Sequence, residues 1–175
     1  MFQHRIRTAV AGLAALAIGA MGATGVASAQ NAPVHGCTIK TTNGHYLTAV
    51  GGGGRTTDVL HTDATRVGAW ERFTLIDSGD GSANIHYGVQ TSNGHLLTAV
   101  GRGGRITDVM HSDATLLQDW EKLTFQSLGG GRYAIQTIDG HYLTAVGGGG
   151  RVTDTIHSDA TRIGSWETFT VTCGQ

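Results

Sequence analysis

The chain says nearly the same thing three times, and that repetition restricts its possible folds more than any other property. "NGHYLTAVGGGGR" (Asn43–Arg55) returns as "NGHLLTAVGRGGR" (Asn93–Arg105) and as "DGHYLTAVGGGGR" (Asp139–Arg151). Gly44, Gly94 and Gly140 fall in register, and the same offsets align Trp70, Trp120 and Trp166, so the steps are 50 and then 46 residues. Units one and three are the closer pair. Over Gly44–Thr74 and Gly140–Thr170, 24 of 31 positions are identical, so the two units should share local geometry and any site it builds. Unit two has drifted, with Leu96 for Tyr, Arg102 for Gly and "TLLQDW" (Thr115–Trp120) where its siblings read "TRVGAW" and "TRIGSW". The four-residue difference in step falls in "IDSGDGSANIHYGVQ" after the first Trp, against "QSLGGGRYAIQ" after the second, and predicts one longer surface turn.

Each unit divides into four short strands. In the first copy these are Thr38–Thr41, Tyr46–Val50, Thr57–Thr62 and Arg72–Ile76, with turns at Asn43-Gly44, Gly51–Gly54 and Asp63–Trp70. A count of 28 Gly and a single Pro suits many strands joined by tight turns. Twelve strands in three units close more economically into a threefold barrel than into a propeller of three blades, so the expected fold is all-β, a β-trefoil. Its repeats run over about 36–86, 87–132 and 133–175. Alternation assigns Leu47/Leu97/Leu143, Ala49/Ala99/Ala145, Leu60/Met110/Ile156 and Phe73/Leu123/Phe169 to the core. "DATLLQDWEKL" has helical propensity, but its sibling "DATRVGAWERF" carries a glycine and β-branched residues, which favours a turn or a short 3₁₀ piece.

The ends of the chain add a compartment and a staple. Arg5 and Arg7 precede an apolar run from Ala9 to about Val26, and Ala27-Ser28-Ala29 follows with small residues, so residues 1–29 read as a secretory signal peptide and 30–175 as the secreted domain. Without Arg5 and Arg7, 10 of the 12 Lys+Arg face 13 Asp+Glu, with signs interspersed, which argues against nucleic acid or an anionic membrane as partner, and no later stretch is long and apolar enough to span a bilayer, so membrane insertion is not expected. Cys37 and Cys173, near the two ends of an exported chain, are expected to form a disulfide, since a closed trefoil sets its first strand beside its last.

Among groups that carry chemistry, Trp-Glu in triplicate stands out: Trp70 with Glu71, Trp120 with Glu121, Trp166 with Glu167. An indole face stacks on the C–H face of a pyranose, and a carboxylate accepts sugar hydroxyls. If Phe73 and Leu75 face inward, Glu71 shares their parity and Trp70 points out, which also allows a Glu that serves turn amides. Gly51–Gly54 has no Gly-Lys-Ser/Thr and no following helix, so it reads as a flexible hairpin tip rather than a phosphate loop. His61, His111 and His157 suit turn hydrogen bonding better than a metal, and His45, His95 and His141 follow Gly at hairpin tips, where exposure is expected. Three equivalent sets of groups argue for ligand sites and against a single asymmetric catalytic centre, so neither enzyme activity nor a cofactor is expected.

"GHYLTAVGGGGR…WERFTL", three times over, resembles the fascin-like β-trefoils, and the Gly-rich turn followed by "WE" is most similar to secreted bacterial modules of that group that bind β-1,6- and β-1,3-linked glucans. That resemblance implies polysaccharide binding through the three Trp-Glu pairs; Tyr46 and Tyr142, which units one and three share and unit two lacks, are expected beside their sites, and the secreted chain is expected to be a monomer. A protein-interaction or inhibitor module, and a His-dependent metal-binding or pH-responsive surface protein, are the alternatives.

Overall fold

The computed structural model describes residues 30–174, and the proposed signal peptide therefore lies outside the described residues. Twelve strands are formed: β1 (Val34–Lys40), β2 (Tyr46–Ala49), β3 (Leu60–Ala64), β4 (Phe73–Asp77), β5 (His86–Gln90), β6 (Leu96–Ala99), β7 (Met110–Ala114), β8 (Leu123–Gly129), β9 (Arg132–Thr137), β10 (Tyr142–Ala145), β11 (Ile156–Ala160) and β12 (Phe169–Thr172). Antiparallel pairing runs β1–β4–β5–β8–β9–β12 and back to β1, which closes a six-stranded barrel. The other six strands form the hairpins β2–β3, β6–β7 and β10–β11, reached from β1, β5 and β9. Their registers repeat, Tyr46 opposite Ala64, Leu96 opposite Ala114 and Tyr142 opposite Ala160. This is the β-trefoil expected from the repeats, and closure leaves the barrel no open edge.

All twelve residues assigned to the core are buried. Ile39, Val89 and Ile135, one per repeat on β1, β5 and β9, join them and complete the barrel's interior layer. Cys37 is bonded to Cys173 across a separation of 136 residues, where β1 lies beside β12. Cys37 stands opposite Phe73 as Tyr87 stands opposite Leu123 and Tyr133 opposite Phe169, so a half-cystine occupies an aromatic's place in unit one. The long connection falls between β4 and β5, where Asp77 and His86 bound the turn, while Gly129 and Arg132 bound the short one between β8 and β9.

Three expectations are corrected. The third strand begins at Leu60 rather than Thr57, because Arg55 donates from Nε to the carbonyls of Thr57 and Asp58 (3.2 and 3.1 Å) and Asp58 takes a left-handed φ of 50°, which makes this stretch a turn. His45, His95 and His141 are half-buried rather than exposed. The glycine run is not a flexible tip. Val50–Gly53 closes a tight turn in which the Gly53 N–H donates to the Val50 carbonyl (3.3 Å), and the run packs onto the next unit's first hairpin: a Cβ at Gly52 would meet Asn93 at 2.9 Å, and one at Gly53 would overlap the Thr91 hydroxyl. Gly103 faces Thr137 and Gly149 faces Thr41 in the same way, so each unit clasps its successor and unit three clasps unit one. Backbone bonds lock the ring, from the N–H of Gly54, Gly104 and Gly150 to the carbonyls of Ser112, Ser158 and Thr62, each at 2.6 Å. The phrase recurs because the fold must close three seams where only a glycine backbone fits.

Candidate functional site

The turns after β3, β7 and β11 carry the three tryptophans, and the backbone there is tied down while the side chains are displayed. The Trp70 carbonyl accepts from the Ala49 N–H (2.9 Å) at the end of β2, and Trp166 does the same with Ala145 (2.8 Å). The indoles are 48%, 45% and 47% exposed at Trp70, Trp120 and Trp166, which is unusual for the largest apolar side chain and nearly uniform across the repeats.

The adjacent glutamates turn the other way, as strand parity anticipates. Glu71 and Glu121 are buried and Glu167 is partly buried. One carboxylate oxygen accepts the hydroxyl of Thr48, Thr98 or Thr144 (2.8, 2.7 and 2.8 Å). The other accepts the backbone N–H of Gly68, Gln118 or Gly164 (2.7, 3.0 and 2.8 Å). Each Glu therefore braces the turn against the second strand, and charge-assisted bonds of this kind contribute about 1.5–3 kcal/mol. In each pair the indole is displayed to solvent and the carboxylate is turned inward. The threonines are the residues sequence reasoning missed. Their signal was the threefold recurrence of Leu-Thr-Ala, 23 residues before each Glu.

The tyrosines have partners of their own. Tyr46, with the Lys40 ammonium 5.1 Å from its ring centroid, lines a depression of about 430 Å³ between β1 and β12. Val67 and Arg72 of the Trp70 turn form one wall, but Trp70 itself is not part of it. Tyr142 donates its hydroxyl to Gln126 (3.1 Å).

The turn of unit two is built from charges. Asp119 opens a 3₁₀ turn, Asp119–Glu121, and a depression of about 590 Å³ forms around Gln118–Glu121. Arg102, at a left-handed φ of 74° where Gly52 and Gly148 stand in the siblings, bonds Asp139 of unit three (2.7 Å) and reaches Asp119 (3.5 Å). Lys122 joins Asp119 (3.2 Å) to Asp80 (3.3 Å), and Asp80 bonds His86 (2.8 Å). The hydrogen bond from His86 holds the Asp80 carboxyl well below the usual carboxylate range. Desolvation works against the Lys122 ammonium, but its bonds to Asp119 and Asp80 prevail and raise its pKa. At the other two seams an amide does the work: Asn93 donates to the Gly51 carbonyl (2.9 Å) and Asn43 to the Gly147 carbonyl (3.0 Å).

His61, His111 and His157 each bond the aspartate three residues earlier, Asp58, Asp108 and Asp154 (2.7, 2.8 and 2.6 Å), the turn role expected of them. Among the described residues no three His, Cys, Asp or Glu side chains come together as metal ligands.

The fold class is thus a β-trefoil with a braced, outward indole in each repeat, and known structures agree on the fold. The designed threefold-symmetric protein ThreeFoil matches with a TM-score of 0.63 at 14% identity, over 77% of this chain and 96% of that one. SeviL, solved bound to the asialo-GM1 saccharide, matches with a TM-score of 0.57 at 12% identity, over 79% and 97%. A mosquitocidal holotoxin matches at 0.64 and 11% over 84% of this chain but only 18% of its own. No protein-family model and no curated protein matches the sequence.

Proposed function

We propose that this chain is a secreted, multivalent carbohydrate-binding trefoil of the fascin-like kind, with β-1,3- or β-1,6-linked glucan as its polymer. The observation that carries the reading is the threefold display of a half-exposed indole on a turn braced from beneath. A flat apolar face fixed in orientation stacks on a pyranose without first being ordered, which keeps the entropic cost of binding low. In this reading Trp70, Trp120 and Trp166 make the contact, Glu71, Glu121 and Glu167 fix the contact surface, and Tyr46 and Tyr142 of units one and three meet the polymer away from the indoles, Tyr46 across the wall formed by Val67 and Arg72. That a trefoil of similar fold, SeviL, is solved with a saccharide bound supports the ligand class. Weak sites on one rigid body gain about 10²–10⁴ in avidity on a polymer that spans them.

The test is co-sedimentation with insoluble β-glucan, chitin and cellulose. Trp70→Ala and Trp166→Ala should each lower retention on β-glucan strongly, and Trp120→Ala should lower it less. The triple variant should stay folded and remain in the supernatant. Full retention of that folded triple variant would reject indole-mediated binding, and retention on chitin or cellulose alone would reject the glucan.

A further inference from the structure

A second cavity lies away from the tryptophans. It is a funnel of about 620 Å³ formed where the three segments leading into β3, β7 and β11 meet, with equivalent residues from all three units in its wall. Its floor is aliphatic and buried, made by Leu60, Met110 and Ile156 with Val59 and Val109. At its mouth Ile106 and Val152 are 56% and 49% exposed, apolar surface that water covers and nothing in the fold uses. Volume and lining both fall in the range of small-molecule sites, which are mostly apolar with a few converging polar groups.

The polar groups here are three carboxylates. Asp58, Asp108 and Asp154 each adopt a left-handed φ near 50° (50°, 49° and 49°), and each forms part of the wall. The groups that hold them are not part of it: Arg55, Arg105 and Arg151 bind one oxygen of each (3.4, 3.3 and 3.4 Å), and His61, His111 and His157 bind the other. Each carboxylate therefore stands between the funnel and its own partners. It keeps about half its surface open (51%, 53% and 52%) and has lone pairs in hand. A molecule in the funnel meets an aliphatic floor and hydrogen-bond acceptors of negative charge.

We propose that this funnel is a ligand site distinct from the indole turns, and that it takes a small organic cation with an apolar body, an arylalkylammonium in chemical class. The body covers Ile106 and Val152, and the ammonium donates to the aspartates. The site does not depend on the glycan reading, and the chain carries separate reporters for the two. Met110 is the sole methionine among the described residues and lies in the floor, whereas every tryptophan of the chain sits on a display turn.

Protein labelled with [methyl-¹³C]methionine, the Met110 signal assigned by its loss in Met110→Leu, is titrated with phenethylammonium, 2-phenylethanol and phenylacetate. The ammonium should shift the Met110 methyl saturably and at several-fold lower concentration than the alcohol, with phenylacetate weakest. Added salt should weaken the ammonium and spare the alcohol. Replacing the three aspartates together (Asp58→Asn, Asp108→Asn, Asp154→Asn) keeps a residue that tolerates the left-handed backbone and should erase the ammonium's advantage. Absence of a saturable shift with all three compounds would overturn the site. Equal binding of the three would overturn the cation preference, and a response in indole fluorescence with Met110 unmoved would put the cation at the tryptophans instead. Should the triple variant fail to fold, the three-compound series on the unaltered protein still decides.

Discussion

The seam between units two and three and the seam between units one and two do the same mechanical job with different chemistry. At the latter, Gly52 meets Asn93 and the amide donates to a backbone carbonyl. At the former, Gly is replaced by Arg102 and Asn by Asp139, two changes 37 residues apart in sequence that meet as one ion pair. What did not change is the backbone clasp, Gly103 on Thr137 as Gly53 on Thr91, and the Glu-Thr brace beneath the indole. The comparison separates what the fold requires, which is threefold, from what the surface is free to vary, which is not. The third seam, between units three and one, adds a covalent bond to the same clasp.

That bond should give the largest effect. Replacing Cys37 and Cys173 by Ser releases a loop spanning 136 residues, and the chain-entropy model puts the cost at about 4–5 kcal/mol. Urea unfolding monitored by circular dichroism measures it, and a loss below about 1 kcal/mol would show that the clasp alone holds the third seam. Next come the glycines. Gly53→Ala and Gly103→Ala should each cost about 2–4 kcal/mol, since both combine a left-handed φ (104° and 107°) with overlap onto a threonine. Near-equal losses are expected, and a tolerated Gly103→Ala would mean that unit two has left the common clasp. Removing the brace should cost somewhat less. Glu71→Ala and Glu121→Ala strand a buried threonine hydroxyl and a turn amide, for about 2–3 kcal/mol each, with a shift in indole emission that Glu→Gln partly restores.

The smallest effect sharpens the comparison most. Arg102→Gly relieves a left-handed arginine and gives up exposed ion pairs, two terms of about 1 kcal/mol that oppose one another, so stability should hardly move. Gly52→Arg, placed against Asn93 instead of an aspartate, should lose about 1–2 kcal/mol. If both substitutions were equally harmless, Arg102 and Asp139 would not be a matched pair.

Much of this molecule was legible in one dimension. The repeat fixed four strands per unit and hence closure, because a segment that cannot bury its apolar face alone must bury it against its copies. With Phe73 and Leu75 facing inward, strand parity sets Glu71 inside and Trp70 outside, and the burial of these four residues follows it. The left-handed turn at Asp58 was not legible, since it depends on Arg55 folding back onto two carbonyls, and propensity reads Thr57 as strand.

The sequence by itself determined the trefoil, its core and its terminal staple, because period, alternation and the positions of two cysteines are local or one-dimensional properties. Only the tertiary structure decided that the glycines clasp the neighbouring unit, that each Glu braces its turn from beneath with a threonine 23 residues away, and that three Thr-Asp turns enclose a funnel. The physical reason is the same in each case. These contacts join groups in different repeats or different hairpins, and what a glycine or a carboxylate does there is set by which atoms the closed barrel brings against it.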